Sequence, residues 1–371
     1  MLFRTAFAAL AAATLSTASV LPRQSNTSVA SVLPTSFKWS STGPLIFPKD
    51  DGRNLAGIKD PTVVLVDGTY HVFASTSKEE GYNLVYLNFT SFEEASSAPF
   101  FYLDQAPLGG GYRAAPQVFY FAPQKLWYLV YQNGNAAYST NPDISNPAAW
   151  TAPKTFYPDT PQIIQDGLEG GYWVDMWVIC DDIKCHLFSS DDNGRLYRSE
   201  TLLSQYPEGF TNTSIALSEP NKFDLFEAAC IYKLANTDSY LLVVEAIGTD
   251  SQRWFRSWTS PSIEGPWAEL AASEDHPFAR SNNVVFDGGA GAWTKSISHG
   301  EVIRSLTDQT LTIDPCEEGL QFLYQGIRPE EDEGSYNALP WKLALITLTN
   351  PLCGESPPPC PSPGFRVRSQ S

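Results

Sequence analysis

Basic residues are scarce in this chain. Its 371 residues include 24 Lys and Arg against 41 Asp and Glu, a net charge of −17. That imbalance argues against nucleic acid and anionic membranes as partners, because the electrostatic term would repel them. There are four His and no HExxH or Cys/His cluster, which argues against a catalytic zinc site. No G-x-S-x-G elbow and no Gly-rich phosphate loop is present. Long helical periodicity is missing as well. The one marked apolar run is N-terminal and too short to span a bilayer, so no membrane is expected as a partner.

That run, "MLFRTAFAALAAATLSTASVLPRQ", reads as a secretory signal over residues 1–18. A secreted, extracellular protein follows, and six Cys suit an oxidising compartment. Cys180 and Cys185 bracket "DDIK" between two strand-like runs and are expected to close a disulfide. Cys316, Cys353 and Cys360 offer one more bridge, whose pairing stays open. Cys230 sits in an apolar run and reads as a buried free thiol. Asn26, Asn88 and Asn212 lie in glycosylation sequons. Residues 19–35 form a Ser/Thr-rich lead-in expected to be flexible, and 353–371 a Pro/Ser-rich tail expected to be disordered. No linker separates them, so one domain is expected over 36–352. Nothing suggests an exposed apolar interface, and a monomer is expected.

What the chain does have is hydrophobic and aromatic content, 43% and 13%. Both suit a large β-core, and ten Trp also suit a sugar-binding surface. The pattern is one of hairpins. In "GIKDPTVVLVDGTYHVFAST", 57–76, two apolar strands flank the turn Asp67-Gly68. Further hairpins run over 115–134, 174–199, 226–260 and 299–326, the last followed by "LPWKLALITLT". Units starting roughly 50 to 75 residues apart, each with room for three or four strands, predict an all-β, five-bladed β-propeller.

In a propeller, the starts of the innermost strands converge at one mouth of a central channel. The residues there are Asp60, Pro116-Gln117, Asp175, Glu227 and His299-Gly300-Glu301. An Asp before Pro is ordinarily a turn residue, and Pro61 is expected to hold Asp60 extended. Three carboxylates at three strand openings point further, to paired acid and base chemistry of the kind that glycoside hydrolysis needs. His299 alone reads as a hydrogen-bonded core residue or a ligand.

The motifs "GIKDPTVV", "YRAAPQVFYFAP", "WYLVYQNG", "YWVDMWVI", "LFEA", "VEAIG", "FRSWTS", "PFARSNN", "SHGE" and "YNALPW" together resemble glycoside hydrolase family 62, from about Phe37 to Thr349. The resemblance implies a five-bladed propeller and an inverting α-L-arabinofuranosidase that strips arabinose from arabinoxylan. It implies Asp60 as general base, Glu227 as general acid and Asp175 as the carboxylate that orients the acid. Lys59, Arg253 and Tyr336 match residues of the arabinose pocket. Asn133, Tyr336 and Asn337 match positions near the xylan chain. Some relatives carry Trp where Asn133 stands, so a stacking platform is lost here; Asn133 also reads as a plain turn residue. No cofactor is implied for the chemistry. A structural calcium is implied at His299, a ligand less natural for calcium than oxygen. The rival readings are a family 43-like arabinanase or β-xylosidase, and a propeller lectin that binds sugar without cutting it.

Overall fold

The computed structural model describes residues 32–286, 291–316 and 319–351. The expected signal segment, Asn26, Cys353, Cys360 and the Pro/Ser-rich tail lie outside the described residues. Five sheets follow one another along the chain as the blades of a propeller. Blade I comprises Gly57–Val66, Thr69–Lys78, Gly81–Phe89 and Phe101–Tyr102. Blade II comprises Ala114–Phe121, Leu126–Gln132, Ala136–Asn141 and Lys154–Thr155. Blade III comprises Val174–Cys180, Lys184–Ser190, Arg195–Leu202 and Thr211–Ser218. Blade IV opens with Glu227–Leu234, Tyr240–Ile247 and Arg253–Ser260 and blade V with Ser298–Val302, Gln321–Gly326 and Lys342–Leu348.

The strands are continuously apolar because each blade is buried on both faces. Successive side chains of a strand point to opposite faces. Val63 and Val72 therefore pack with Leu323, Leu343 and Leu345 of blade V. Val64 and Phe73 pack with Val118, Leu129 and Tyr131 of blade II. Asp67 and Gly68 both take positive φ, 48° and 77°, as the tight hairpin turn between these strands requires.

Two features of the closure were not visible as hairpins. Trp39–Ser41 pairs antiparallel with the last strand, Trp39 facing Leu348, and parallel with Val284–Phe286. Blade V is thus completed by a strand from the other end of the chain, which ties the ring shut. Val32 and Leu33, at the end of the segment expected to be a flexible lead-in, are instead buried in the core. Between the first two strands of blade V, Thr312–Ile313 leaves the blade and pairs with the innermost strand of blade IV. Inside the channel, Gln117 bonds both the N–H and the C=O of Val178, at 2.8 Å each, and Arg304 donates to Val118 O at 2.6 Å. Gln117 joins the neighbouring blades II and III, and Arg304 ties the blade V segment across to blade II.

Cys180 and Cys185 form the expected disulfide across the blade III hairpin, where they face each other in the register. Cys316 is disulfide-bonded too, and Cys230 is a buried free thiol. Asn88 is half-buried on a strand. Asn212 is exposed, and its carboxamide donates to Glu200 at 3.0 Å.

Candidate active site

All five innermost strands carry a β-bulge at the same mouth of the channel. The register slips between Lys59 and Thr62, Ala114 and Gln117, Val174 and Trp177, Glu227 and Cys230, and Ser298 and Gly300. In four of them the residue after the first of these has positive φ: Asp60 49°, Ala115 48°, Asp175 57°, Ala228 54°. Such a conformation is strained for a residue with a Cβ and persists where the surroundings over-determine it. Asp60 is therefore not extended, as its place before Pro61 suggested. The bulge overrides the pre-proline preference and re-aims the side chain into the channel mouth.

The bulge is held from the preceding blade. Asp60 N–H donates to Gln325 Oε1 at 2.7 Å and Ala115 N–H to Ser75 Oγ at 2.9 Å. Asp175 N–H donates to Gln132 Oε1 at 2.8 Å and His299 N–H to Glu245 Oε2 at 2.6 Å. These four acceptors stand on second strands, each opposite the residue just before its own bulge. At Ala228 the acceptor is instead Asp175 Oδ2, at 2.7 Å. Asp175 thereby fixes the backbone beside Glu227.

The bulges open onto a cavity of about 820 Å³ lined by Lys59, Asp60, Asp175, Glu227, Arg253 and His299, with Tyr336 and Asn337 at its edge. Lys59 Nζ lies 3.7 Å from Asp60 Oδ1 and donates to Tyr336 Oη at 3.0 Å. Burial works against the Lys59 charge, but Asp60 and the Tyr336 phenol outweigh it and hold its pKa well above the usual value. His299 Nδ1 lies 3.4 Å from Asp60 Oδ1 and 3.7 Å from Asp175 Oδ2. Burial opposes its charge too, yet Asp175 and Asp60 raise its pKa. Burial pushes Asp175 up to about 7; His299 opposes the rise, and Glu227 and Asp60 add to it. Arg253 Nη1 contacts both Glu227 and the fully buried Glu245. The cavity thus brings together Asp60 and Asp175 on bulges, Glu227 just before one, and the cations Lys59 and Arg253, which neutralise part of the charge. Buried acids facing cations across one cavity are equipped to give and take protons.

The sequence model of glycosyl hydrolase family 62 matches residues 38–347. The chain belongs to that family. Alpha-L-arabinofuranosidase C of Cellvibrio japonicus is 42% identical over 316 residues, 84% of this chain and 47% of the relative. The chain therefore spans about half the length of that protein. The solved catalytic domain of a family 62 α-L-arabinofuranosidase from Coprinopsis cinerea is 64% identical, with a TM-score of 0.85 over 87% of this chain and 100% of that one. A family 62 hydrolase solved in complex with xylotriose is also 64% identical, with a TM-score of 0.82 over 84% and 98% of the two chains.

Within this family 62 fold, Asp60, Asp175, Glu227, Lys59, Arg253, Tyr336, Asn337 and His299 come together in one cavity. Asn133 does not join them. Its backbone N–H bonds Asn135 O at 3.1 Å and its side chain accepts from Asn135 N–H at 3.3 Å, the bonding of a turn residue. The neighbouring Gly134 lines the cavity instead. The register also corrects the equivalence of the carboxylates. Asp60 and Asp175 are bulge residues, whereas Glu227 stands one position earlier, where blade I has Lys59.

Several residues of the site were not found from the sequence. Asp192 lines the cavity. Burial, then Glu227 and Asp175, push it up to about 8 against the pull of Arg253. In "SSDDNG" its local sequence has the pattern of an ordinary turn. The capping residues Gln132 and Gln325 were passed over although a signal exists: "VYQNG" and "LYQG" end two second strands in the same way. Tyr172, 72% exposed, and Trp173 stand at the rim next to Val174.

Proposed function

We propose that the protein is a secreted, inverting α-L-arabinofuranosidase that removes arabinofuranosyl branches from arabinoxylan. The observation that carries this reading is the meeting of Asp60, Asp175 and Glu227 around one cavity with Lys59 and Arg253. Family 62 membership and the xylotriose-bound relative support the substrate class.

Arabinofuranose occupies the cavity, with the xylan chain across its mouth near Tyr336 and Asn337. Protonated Glu227 gives its proton to the glycosidic oxygen as the bond from C1 to that oxygen breaks. Water attacks C1 from the opposite face and loses its proton to Asp60. The anomeric carbon is inverted in one step. Lys59 and His299 stabilise ionised Asp60. Asp175, through its bond to Ala228 N–H, holds the backbone beside Glu227 in place.

No cofactor takes part. A structural calcium at His299 would find one imidazole nitrogen and the Asp60 and Asp175 oxygens nearby. That falls short of the six to eight oxygens that calcium takes. The protein atoms alone therefore do not make a calcium site, and no step passes through the metal. Secretion is supported by the N-terminal apolar run and by the Cys180–Cys185 disulfide. We read 36–352 as a single catalytic domain, monomeric, with Asn88 and Asn212 as glycan acceptors; a glycan on Asn212 requires its bond to Glu200 to open.

Proton NMR of arabinoxylan during incubation with the purified protein tests the reading. Free β-L-arabinofuranose is expected before the α-anomer appears. Early α-anomer would mean retention, and released xylose or arabino-oligosaccharides would mean another substrate bond. Asp60→Asn and Glu227→Gln are each expected to abolish nearly all turnover on arabinoxylan while leaving the unfolding midpoint close to wild type. Retained activity in either would remove that residue from its role.

A further inference from the structure

Glu245 stands on the second strand of blade IV, directly opposite Glu227 in the register. It is fully buried. One of its oxygens accepts the bulge N–H of His299, at 2.6 Å. In two other blades the same task falls to the neutral amides of Gln132 and Gln325, and in a third to the hydroxyl of Ser75. A neutral oxygen therefore suffices as the cap. A buried carboxylate carries a desolvation penalty that an amide does not. Its charge must serve something else.

That something is Arg253. The same Nη1 contacts Glu245 Oε1 and Glu227 Oε1. The other close neighbours of the guanidinium are neutral: Tyr336 Oη at 3.4 Å, and the rings of Phe226 and Tyr336 at 5.4 and 5.6 Å. Asp192 faces it from further away. Glu245 is itself held rigidly. Ser298 Oγ lies 3.2 and 3.0 Å from its two oxygens, and Gln325 Nε2 donates to Ser298 at 3.0 Å. Gln325 also holds the Asp60 N–H. A buried thread thus runs from Asp60 through Gln325, Ser298, Glu245 and Arg253 to Glu227.

An arginine beside a single carboxylate holds that carboxylate ionised. An arginine shared by two keeps a counter-charge when one of them is protonated. We infer that Glu245 is a positioning residue for acid catalysis, neutralising and anchoring Arg253 so that Glu227 can carry the proton it donates. The inference rests on the reading of Glu227 as the acid. A Glu245→Gln change keeps the cap, as Gln132 and Gln325 show, and removes the charge together with the acceptor that faces Arg253.

The test compares wild type, Glu227→Ala, Glu245→Gln and Glu245→Asp on aryl α-L-arabinofuranosides of graded leaving-group acidity and on an arabinoxylan oligosaccharide. A good leaving group departs without a proton; a sugar alcohol does not. Glu245→Gln is expected to lose about 10- to 100-fold in kcat on the oligosaccharide and less than about threefold on the 4-nitrophenyl substrate. Glu245→Asp keeps the charge on a shorter stem and should fall between. If Glu227→Ala depends steeply on the leaving group but Glu245→Gln loses equally on all substrates, or on none, the inference is overturned and the acid assignment stands. If Glu227→Ala itself shows no such dependence, the acid assignment fails first. Should Glu245→Gln not fold, Glu245→Asp is read on the same series, and a uniform loss there overturns the inference.

Discussion

Gln325 offers the sharpest test of how the bulges are held. It is 1% exposed, accepts the Asp60 N–H at 2.7 Å and donates to Ser298 Oγ at 3.0 Å. Replacing it by Leu keeps the volume and removes both polar ends. The Asp60 N–H would then be buried without an acceptor, costing about 1–3 kcal/mol. The lost bond to Ser298 adds about 1 kcal/mol. Because Leu refills the space, the packing term is small, and the sum is about 2–4 kcal/mol. Asp60 has φ of 49°, a conformation held against its own strain. Without the cap the bulge relaxes and its carboxylate moves; a shift of about 1 Å is worth about 100-fold in rate. Urea unfolding and kcat on arabinoxylan should therefore both report the change. Gln321→Leu, on the same strand but half-buried, is the control and should change little. If Gln325→Leu unfolds within about 0.5 kcal/mol of wild type and turns over within about twofold, the bulges do not depend on their caps.

Two further outcomes are expected. Asp192 is pushed up to about 8 by burial, Glu227 and Asp175, so the folded protein keeps a proton that unfolded Asp releases near about 3.9. Its contribution is complete below that pH and is lost as pH rises through about 8. Asp192→Asn should flatten the fall of unfolding free energy between about pH 5 and 8, stabilising the protein by about 1–2 kcal/mol at the upper end after discounting for partial exposure; an unchanged slope would show that Asp192 is ionised throughout. Tyr172, at the cavity rim and 72% exposed, is placed to stack against a chain crossing the mouth. Tyr172→Ala should raise KM for arabinoxylan by about 2- to 12-fold, the worth of one stacked ring, and leave KM for an aryl arabinofuranoside alone. An equal rise for both substrates would move Tyr172 from the chain to the arabinose pocket.

The blades were legible because their signal is local. "TVVLV", Asp67-Gly68 and "YHVFA" contain strand, turn and strand within a few residues. The convergence of Asp60, Asp175 and Glu227 was legible because a propeller brings strand starts together, whichever residues they are. What stayed hidden depends on distant pairing. Nothing near Trp39 says that it lies opposite Leu348, and nothing near Thr312 says that it leaves its own blade for Lys233. Asp192 stayed hidden for a related reason: in "SSDDNG" the local pattern is that of a turn, and only the closed ring makes it a wall of the cavity. The conformation of Asp60 escapes the local rule for a residue before proline because its N–H donates to Gln325, 265 positions away.

The ring also accounts for how unlike groups come to face one another. Each blade offers the same pair of positions at the mouth, one before the bulge and one on it. Before the bulge stand Lys59, Ala114, Val174, Glu227 and Ser298; on it stand Asp60, Ala115, Asp175, Ala228 and His299. Equivalent backbone thus carries a cation in blade I and a carboxylate in blade IV at the first position, and carboxylates in blades I and III at the second. Blade II contributes two alanines. Ala114 lines the cavity there, and a longer side chain would project into the space that a sugar ring needs. The ionisable groups at the mouth therefore come from blades I, III, IV and V, and blade II is the one sector whose bulge carries none. Filling that sector with Ala114→Leu should block substrate without touching any ionisable group: kcat/KM should collapse while the stability profile against pH stays that of wild type. Undiminished turnover would place the sugar elsewhere in the cavity.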